Sequence, residues 1–133
     1  MLMSAHARAL PISTMLQSNK GLIMNDNKYN GWTNYETWNA NLWIDNDWKL
    51  SEHIACITGD YFGSYEDLDT ITGLVAERIN DMFVDMMPDI ENGFFSDVMN
   101  ASFREVNFHE IARHYVEAEA ETIANFIGQD EEA

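Results

Sequence analysis

Three stretches of this 133-residue chain gather side chains of catalytic or metal-binding type, and in each the spacing argues against the chemistry. His109-Glu110-Ile111-Ala112-Arg113-His114 has the composition of a zinc-protease helix. That chemistry needs two histidines at i and i+4, on one helical face. Here they stand at i and i+5, about 140° apart at 100° per residue, and do not chelate one ion. Their expected place is a polar face shared with Glu110, Arg113 and Glu117. Asp45-Asn46-Asp47 opens like a calcium loop, but Lys49 and Leu50 occupy the next ligand and glycine positions. Cys56 follows His53 by three residues, within reach of a base. On the helix expected there it faces inward, where a thiol is inert. There is no glycine-rich phosphate loop and no Gly-x-Ser-x-Gly elbow. With 23 Asp and Glu in the chain, closeness of two carboxylates is expected by chance and marks no acid/base pair. No catalytic residue, metal ligand or cofactor is expected, and the chain reads as a non-enzyme.

Binding chemistry is better represented. The 23 acids face only 7 Lys and Arg, a formal net charge of -16. Such a surface repels nucleic-acid phosphates and anionic membranes. It attracts basic surfaces, among them the nucleic-acid clefts of other proteins. Glu77, Asp81, Asp85 and Asp89 recur every four residues. The first three form a stripe with a rise of about 6 Å per step, comparable to the separation of successive phosphates along a strand. Glu110, Glu117 and Glu121 form a second acidic face. Two such ridges could imitate a duplex backbone and enter a cleft lined by Lys and Arg, with counterion release favouring association. The simpler account of the same acids is a solvated, soluble surface.

Aromatic side chains are the other candidate. Trp32, Tyr35, Trp38, Trp43 and Trp48 place five large rings within 17 residues. Trp and Tyr dominate binding hot spots, but rings at helical spacing mostly bury themselves. Trp48, beyond the first helix and beside charges, is the ring expected to be exposed.

These residues need helices to position them. Asn30-Gly31 marks a turn. Thr33 and Glu36 make a capping box for a helix over about 34–45, with Tyr35, Trp38, Leu42 and Trp43 on one face. A second helix is expected over 48–58 with Leu50, Ile54 and Ile57 inward, then a loop bracketed by Gly59 and Gly63. Ser64 and Asp67 start a third, with the stripe Leu68, Ile71, Val75, Ile79, Met82, Phe83 and Met86. Pro88 ends it, and Gly73 inside it marks a close approach. A fourth covers about 93–104 with Phe95, Val98 and Met99 inward. Asn107 and Glu110 cap a fifth carrying Phe108, Ile111, Ala112, Tyr115 and Val116, and continuing to about Phe126. Glu119 falls on its apolar face, so either the helix bends or ends before it or that face meets a polar partner. The expected architecture is all-α, a compact bundle of four to five short helices. By this reading residues 1–28 are a disordered leader, 29–127 one helical domain and 128–133 an acidic tail. Residues 1–23 hold no acid, and Lys20-Gly21 can be encoded by a purine-rich, ribosome-binding-like stretch two codons before Met24, an alternative start. One cysteine and no apolar run of membrane length fit a cytoplasmic protein.

Asn30–Trp38, Asn-Gly-Trp-Thr-Asn-Tyr-Glu-Thr-Trp, followed by Leu42-Trp43 and Asp45-Asn46, resembles the opening of a poorly characterised family of small acidic proteins from bacteriophages, plasmids and bacteria. Gly93 to Tyr115 is also similar to that family, through Ser96-Asp97, Asn100-Ala101 and Val106-Asn107-Phe108-x-Glu110-Ile111-Ala112. Where Phe108 stands, a similar pattern often has Trp. The resemblance covers most of 29–116 and brings no activity with it. It implies a phage or mobile-element origin. Charge and resemblance together point to an acidic inhibitor of a host nucleic-acid-handling defence enzyme, of restriction or CRISPR type, in a bacterial cytoplasm. The partner-binding residues would be Glu77, Asp81, Asp85, Asp89, Glu110, Glu117, Glu121 and Trp48, with neither nucleic acid nor membrane bound directly. The alternative is a structural or regulatory interaction module, homodimeric in one version, that binds through its aromatic face.

Overall fold

The computed structural model describes the backbone of residues 28–132 and the side chains of 28–128. The leader expected over 1–28, with the alternative start at Met24, lies outside the described residues except for Lys28. Among the described residues there are five helices and no strand: α1 (Tyr35–Asp45), α2 (Trp48–Phe62), α3 (Leu68–Met86), α4 (Phe94–Arg104) and α5 (Phe108–Glu132). The fold is all-α, as the periodicity implies.

Short polar side chains start the helices, one position later than the sequence suggests in α1 and three later in α3. Asn34, not Thr33, is the N-cap of α1; its backbone is extended and its Oδ1 accepts from the Thr37 N–H at 2.8 Å. In α3 the cap is Asp67, not Ser64; it accepts from the Thr70 N–H at 2.9 Å and the Thr70 hydroxyl at 2.7 Å. Both ends share one device, an Asn or Asp with Thr three residues on. The Asx oxygen satisfies an orphan backbone donor and the Thr hydroxyl together. Asp47 serves α2, accepting from the Leu50 N–H at 3.1 Å. Ser96 closes the start of α4 by donating to the Gly93 carbonyl and accepting from the Gly93 N–H. α3 stops at Met86, ahead of Pro88, because the residue before a proline is disfavoured in helical conformation.

The described residues fall into two units. The first comprises 28–50 and 87–107. It opens with a tight turn in which Asn30 (φ 48°) and Gly31 (φ 89°) both take positive φ, and Tyr29 and Trp32 exchange backbone hydrogen bonds. That is the pattern of a type I′ turn, and Asn-Gly is the dipeptide it favours. α1 then buries Thr37, Ala40, Leu42 and Ile44. Of the face expected to be inward, Leu42 is buried and Trp38 half-buried, while Tyr35 and Trp43 are exposed. A second buried line runs through Thr37, Ala40 and Ile44, at i, i+3 and i+7.

The fourth helix meets its sequence expectation only at Met99. Ser96 is buried, with Met99 and Phe103 half-buried on its side, while Phe95 and Val98 face out. Ser96, Met99 and Phe103 stand at i, i+3 and i+7, one line along the helix.

The second unit comprises 51–86 and 108–132. α3 and α5 are its main packing pair. Ile71, Val75 and Ile79 of α3 and Ile111 and Ala112 of α5 are fully buried, and Phe83 meets Phe108 edge-on with centroids 5.4 Å apart. Leu68 and Met86, at the two ends of the expected stripe, are exposed. α2 runs through Gly59 to Phe62, longer than expected, with Ile54, Ile57 and Thr58 inward. Gly73 is exposed, with open space where a Cβ would stand, so no close approach explains it. Gly59 does mark one. The Glu119 carboxylate lies 3.5 Å from where a Cβ on residue 59 would stand. α5 therefore does not end before Glu119; a glycine opposite makes room for a half-buried acid on an otherwise apolar side.

Candidate functional site

The motif that carries the resemblance turns out to be a structural tie. The Asn34 Oδ1 also accepts from the Thr37 hydroxyl at 2.6 Å. The Asn34 Nδ2 donates to the Glu105 carbonyl, and the Thr37 hydroxyl oxygen accepts from the Asn107 N–H, both at 2.8 Å. Two side chains thus clamp the start of α1 to the segment that follows α4. This tie runs from the 30–38 motif to Glu105 and Asn107, which lie within the second stretch singled out in sequence, 93–115. Thr37 is fully buried, so the bonds its hydroxyl makes are partly shielded from water and costly to break, whereas the Asn34–Glu105 bond lies at the surface. Beside it, Tyr29, Tyr35 and Trp38 form a three-ring cluster with centroids 5.2 to 5.6 Å apart. Partial burial, and then the neighbouring Tyr35, push the Tyr29 phenol above its ordinary pKa. No group in this tie is a nucleophile with a base beside it.

The remaining exposed rings of this unit are candidates for contact. Trp48, first residue of α2, is 67% exposed, the exposed ring that its position in the sequence suggests. Phe94 and Phe95 are 73% and 76% exposed and stack edge to face, centroids 5.2 Å apart. Sequence reasoning missed this pair. The signal was present: adjacent helical residues point 100° apart, so two neighbouring Phe on a short helix are not both buried by one face.

The acidic candidates divide. Glu77, Asp81 and Asp85 are exposed along α3, on the side away from Ile71, Val75 and Ile79. Glu117 and Glu121 are exposed on α5, the helix packed on α3. Among the described residues none of these five is held in an ion pair. Asp89 is exposed but lies past the end of α3, in the other unit, and does not extend the stripe. Glu110 is buried, 8% exposed, and belongs to no outer ridge. It sits in the first turn of α5, where the free N–H groups and helix dipole favour a carboxylate. Over residues 51–86 and 108–128 there are 12 Asp and Glu against only Arg78 and Arg113. Over 28–50 and 87–107 there are 7 against Lys28, Lys49 and Arg104. The field is concentrated on the second unit.

Cys56 is exposed, contrary to the inward place expected for it, because Ile54, Ile57 and Thr58 form the inner face of α2. Among the described residues no group of three His, Cys, Asp or Glu is placed to hold a metal ion. No described helix is long and apolar enough to cross a membrane.

The model of a family described as a family of unknown function, DUF7249, matches residues 25–122. No curated protein and no solved structure matches the chain.

Proposed function

The chain belongs to the DUF7249 family, and with no activity to inherit from it we propose an acidic protein-binding role: inhibition of a host nucleic-acid-handling enzyme by occupying its basic cleft. A restriction or CRISPR effector in a bacterial cytoplasm is the class of target, and a phage or other mobile element the class of source. The observation that carries this reading is the exposed row Glu77, Asp81 and Asp85 on α3, with Glu117 and Glu121 exposed on the helix packed against it. A helix pair whose inner sides are aliphatic holds these carboxylates on stiff backbones, so binding does not have to order them first. Lys and Arg in a phosphate-binding cleft would meet a row of charges at about 6 Å steps. Counterions released from both surfaces would favour the complex at low salt.

The test is a tagged pull-down from host lysate at low and high salt, with mass spectrometry of the retained proteins. A nucleic-acid-binding enzyme should be retained at low salt and released by high salt or by added DNA. The triple variant Glu77→Lys/Asp81→Lys/Asp85→Lys, its helicity checked by circular dichroism, should fail to retain it. Retention that ignores salt, or that survives the triple reversal, refutes the acidic mechanism.

A second reading, an interaction module that binds through its aromatic surface, is favoured by the exposure of Trp48. There Trp48→Ala would abolish partner capture while the charge reversals leave it intact.

A further inference from the structure

α4 presents a face with no charge on it. On a helical wheel at 100° per residue, Ala101, Phe94, Val98, Ser102 and Phe95 follow one another over an arc of about 120°. All five are exposed, and Phe94 and Phe95 are among the most exposed large apolar side chains described. An isolated exposed ring needs no explanation, but a continuous apolar stripe on an ordered helix marks a contact. Phe94, Val98 and Ala101 stand at i, i+4 and i+7, the spacing of a helix–helix seam.

The charges flanking that seam say what covers it. Asp97 and Arg104 are exposed and lie on the same flank, at about 300° and 280° of the same wheel. Seven residues apart, they are separated by about 10 Å of rise, too far to pair within one helix. Two copies of α4 packed antiparallel about a two-fold axis bring equivalent flanks together. With the axis midway along the helix, at residue 99, Asp97 of each copy and Arg104 of the other are offset by about 4.5 Å along the helix, a gap the long Arg side chain spans, and on the opposite flank Phe95 and Ser102 are offset by about 1.5 Å. The face is therefore complementary to itself in charge as well as in polarity, the condition for an isologous interface. It also lies in the unit where acids are fewest, so the repulsion between two chains of charge -16 is smallest there.

We infer that α4 is the interface of an antiparallel homodimer, with Phe94, Val98 and Ala101 as its seam and Asp97 paired to the second copy's Arg104. The inference is independent of the acidic mechanism, which uses side chains of α3 and α5 only.

Sedimentation velocity over a range of protein concentration tests it, on the full chain. The wild type is a dimer at the upper concentrations, and Phe94→Asp is a monomer. Asp97→Arg places Arg against Arg twice across the axis, and Arg104→Asp places Asp against Asp twice. Each raises the dissociation constant by roughly tenfold or more. An equimolar mixture of those two variants pairs opposite charges again and recovers the dimer as a heterodimer. Recovery on mixing separates an interface from a folding defect, since two misfolded chains do not repair one another. A wild type that stays monomeric throughout overturns the inference. So does a dimer indifferent to Phe94→Asp, or a mixture that remains as monomeric as its components.

Discussion

In the second unit nine described hydrophobic side chains are buried, from Ile54 to Val116, and nearly all are aliphatic. In the first unit the buried hydrophobic side chains among the described residues are Ala40, Leu42 and Ile44. All four tryptophans nevertheless belong to the first unit, at positions 32, 38, 43 and 48. It is held by side-chain hydrogen bonds that reach 70 and 71 residues along the chain, and its rings are largely left at the surface. The difference follows from what each unit has to carry. A cluster of like charges works against a compact state, and a dense aliphatic core between α3 and α5 offsets that. A surface of rings adds little repulsion and leaves its helices to be fixed by a few side-chain hydrogen bonds.

The comparison can be broken most sharply in the core. Ile79→Ala removes three carbons from a fully buried site in the second unit and should cost about 2–5 kcal/mol in urea unfolding. Phe94→Ala, the larger deletion, should change unfolding of the monomer by no more than about 0.5 kcal/mol, because the ring is at the surface. Comparable losses for the two would mean that the first unit depends on apolar burial after all. Next comes the tie. Thr37→Val keeps the shape but leaves the Asn107 N–H without its acceptor, and should cost about 1–3 kcal/mol. Faster amide hydrogen exchange at Asn107 would locate the effect; unchanged exchange would show that the bond is dispensable.

The smallest effect sharpens the picture of helix starts. Hydrogen bonds from the Thr70 hydroxyl and N–H hold the Asp67 carboxyl below its ordinary pKa. A depressed carboxylate stabilises the fold above its unfolded value, and that contribution disappears as pH falls through the folded value. Asp67→Asn should therefore be less stable than wild type at neutral pH, with the gap closing below about pH 4. A gap that persists undiminished in acid would assign Asp67 a role other than as a charged cap.

The helices themselves were legible, and so was much of the buried side of α3. Ile71, Val75 and Ile79 repeat at i, i+4 and i+8 along a 19-residue helix, long enough for the period to mark one side. α1 and α4 misled for one physical reason. Each is only 11 residues long and carries large apolar side chains on more than one side, so size did not say which side turns inward. The buried residues include a small polar one in each, Thr37 in α1 and Ser96 in α4. In the candidate acidic surface, spacing placed Glu77, Asp81 and Asp85 correctly on an outer face, whereas burial of Glu110 needed knowledge of its surroundings.

What the amino-acid sequence determined by itself is local: an all-α chain, the Asn30-Gly31 turn, polar residues close to each helix start, an excess of carboxylate, and a four-residue repeat of acids. Each of these depends on neighbours within a few positions, where backbone geometry and side-chain reach suffice. The tertiary structure alone decided which faces are inside, that Glu119 rests beside Gly59, and that Asn34 and Thr37 reach residues 105 and 107. Those outcomes depend on pairings between distant segments, and a periodic pattern specifies a face without naming what lies against it.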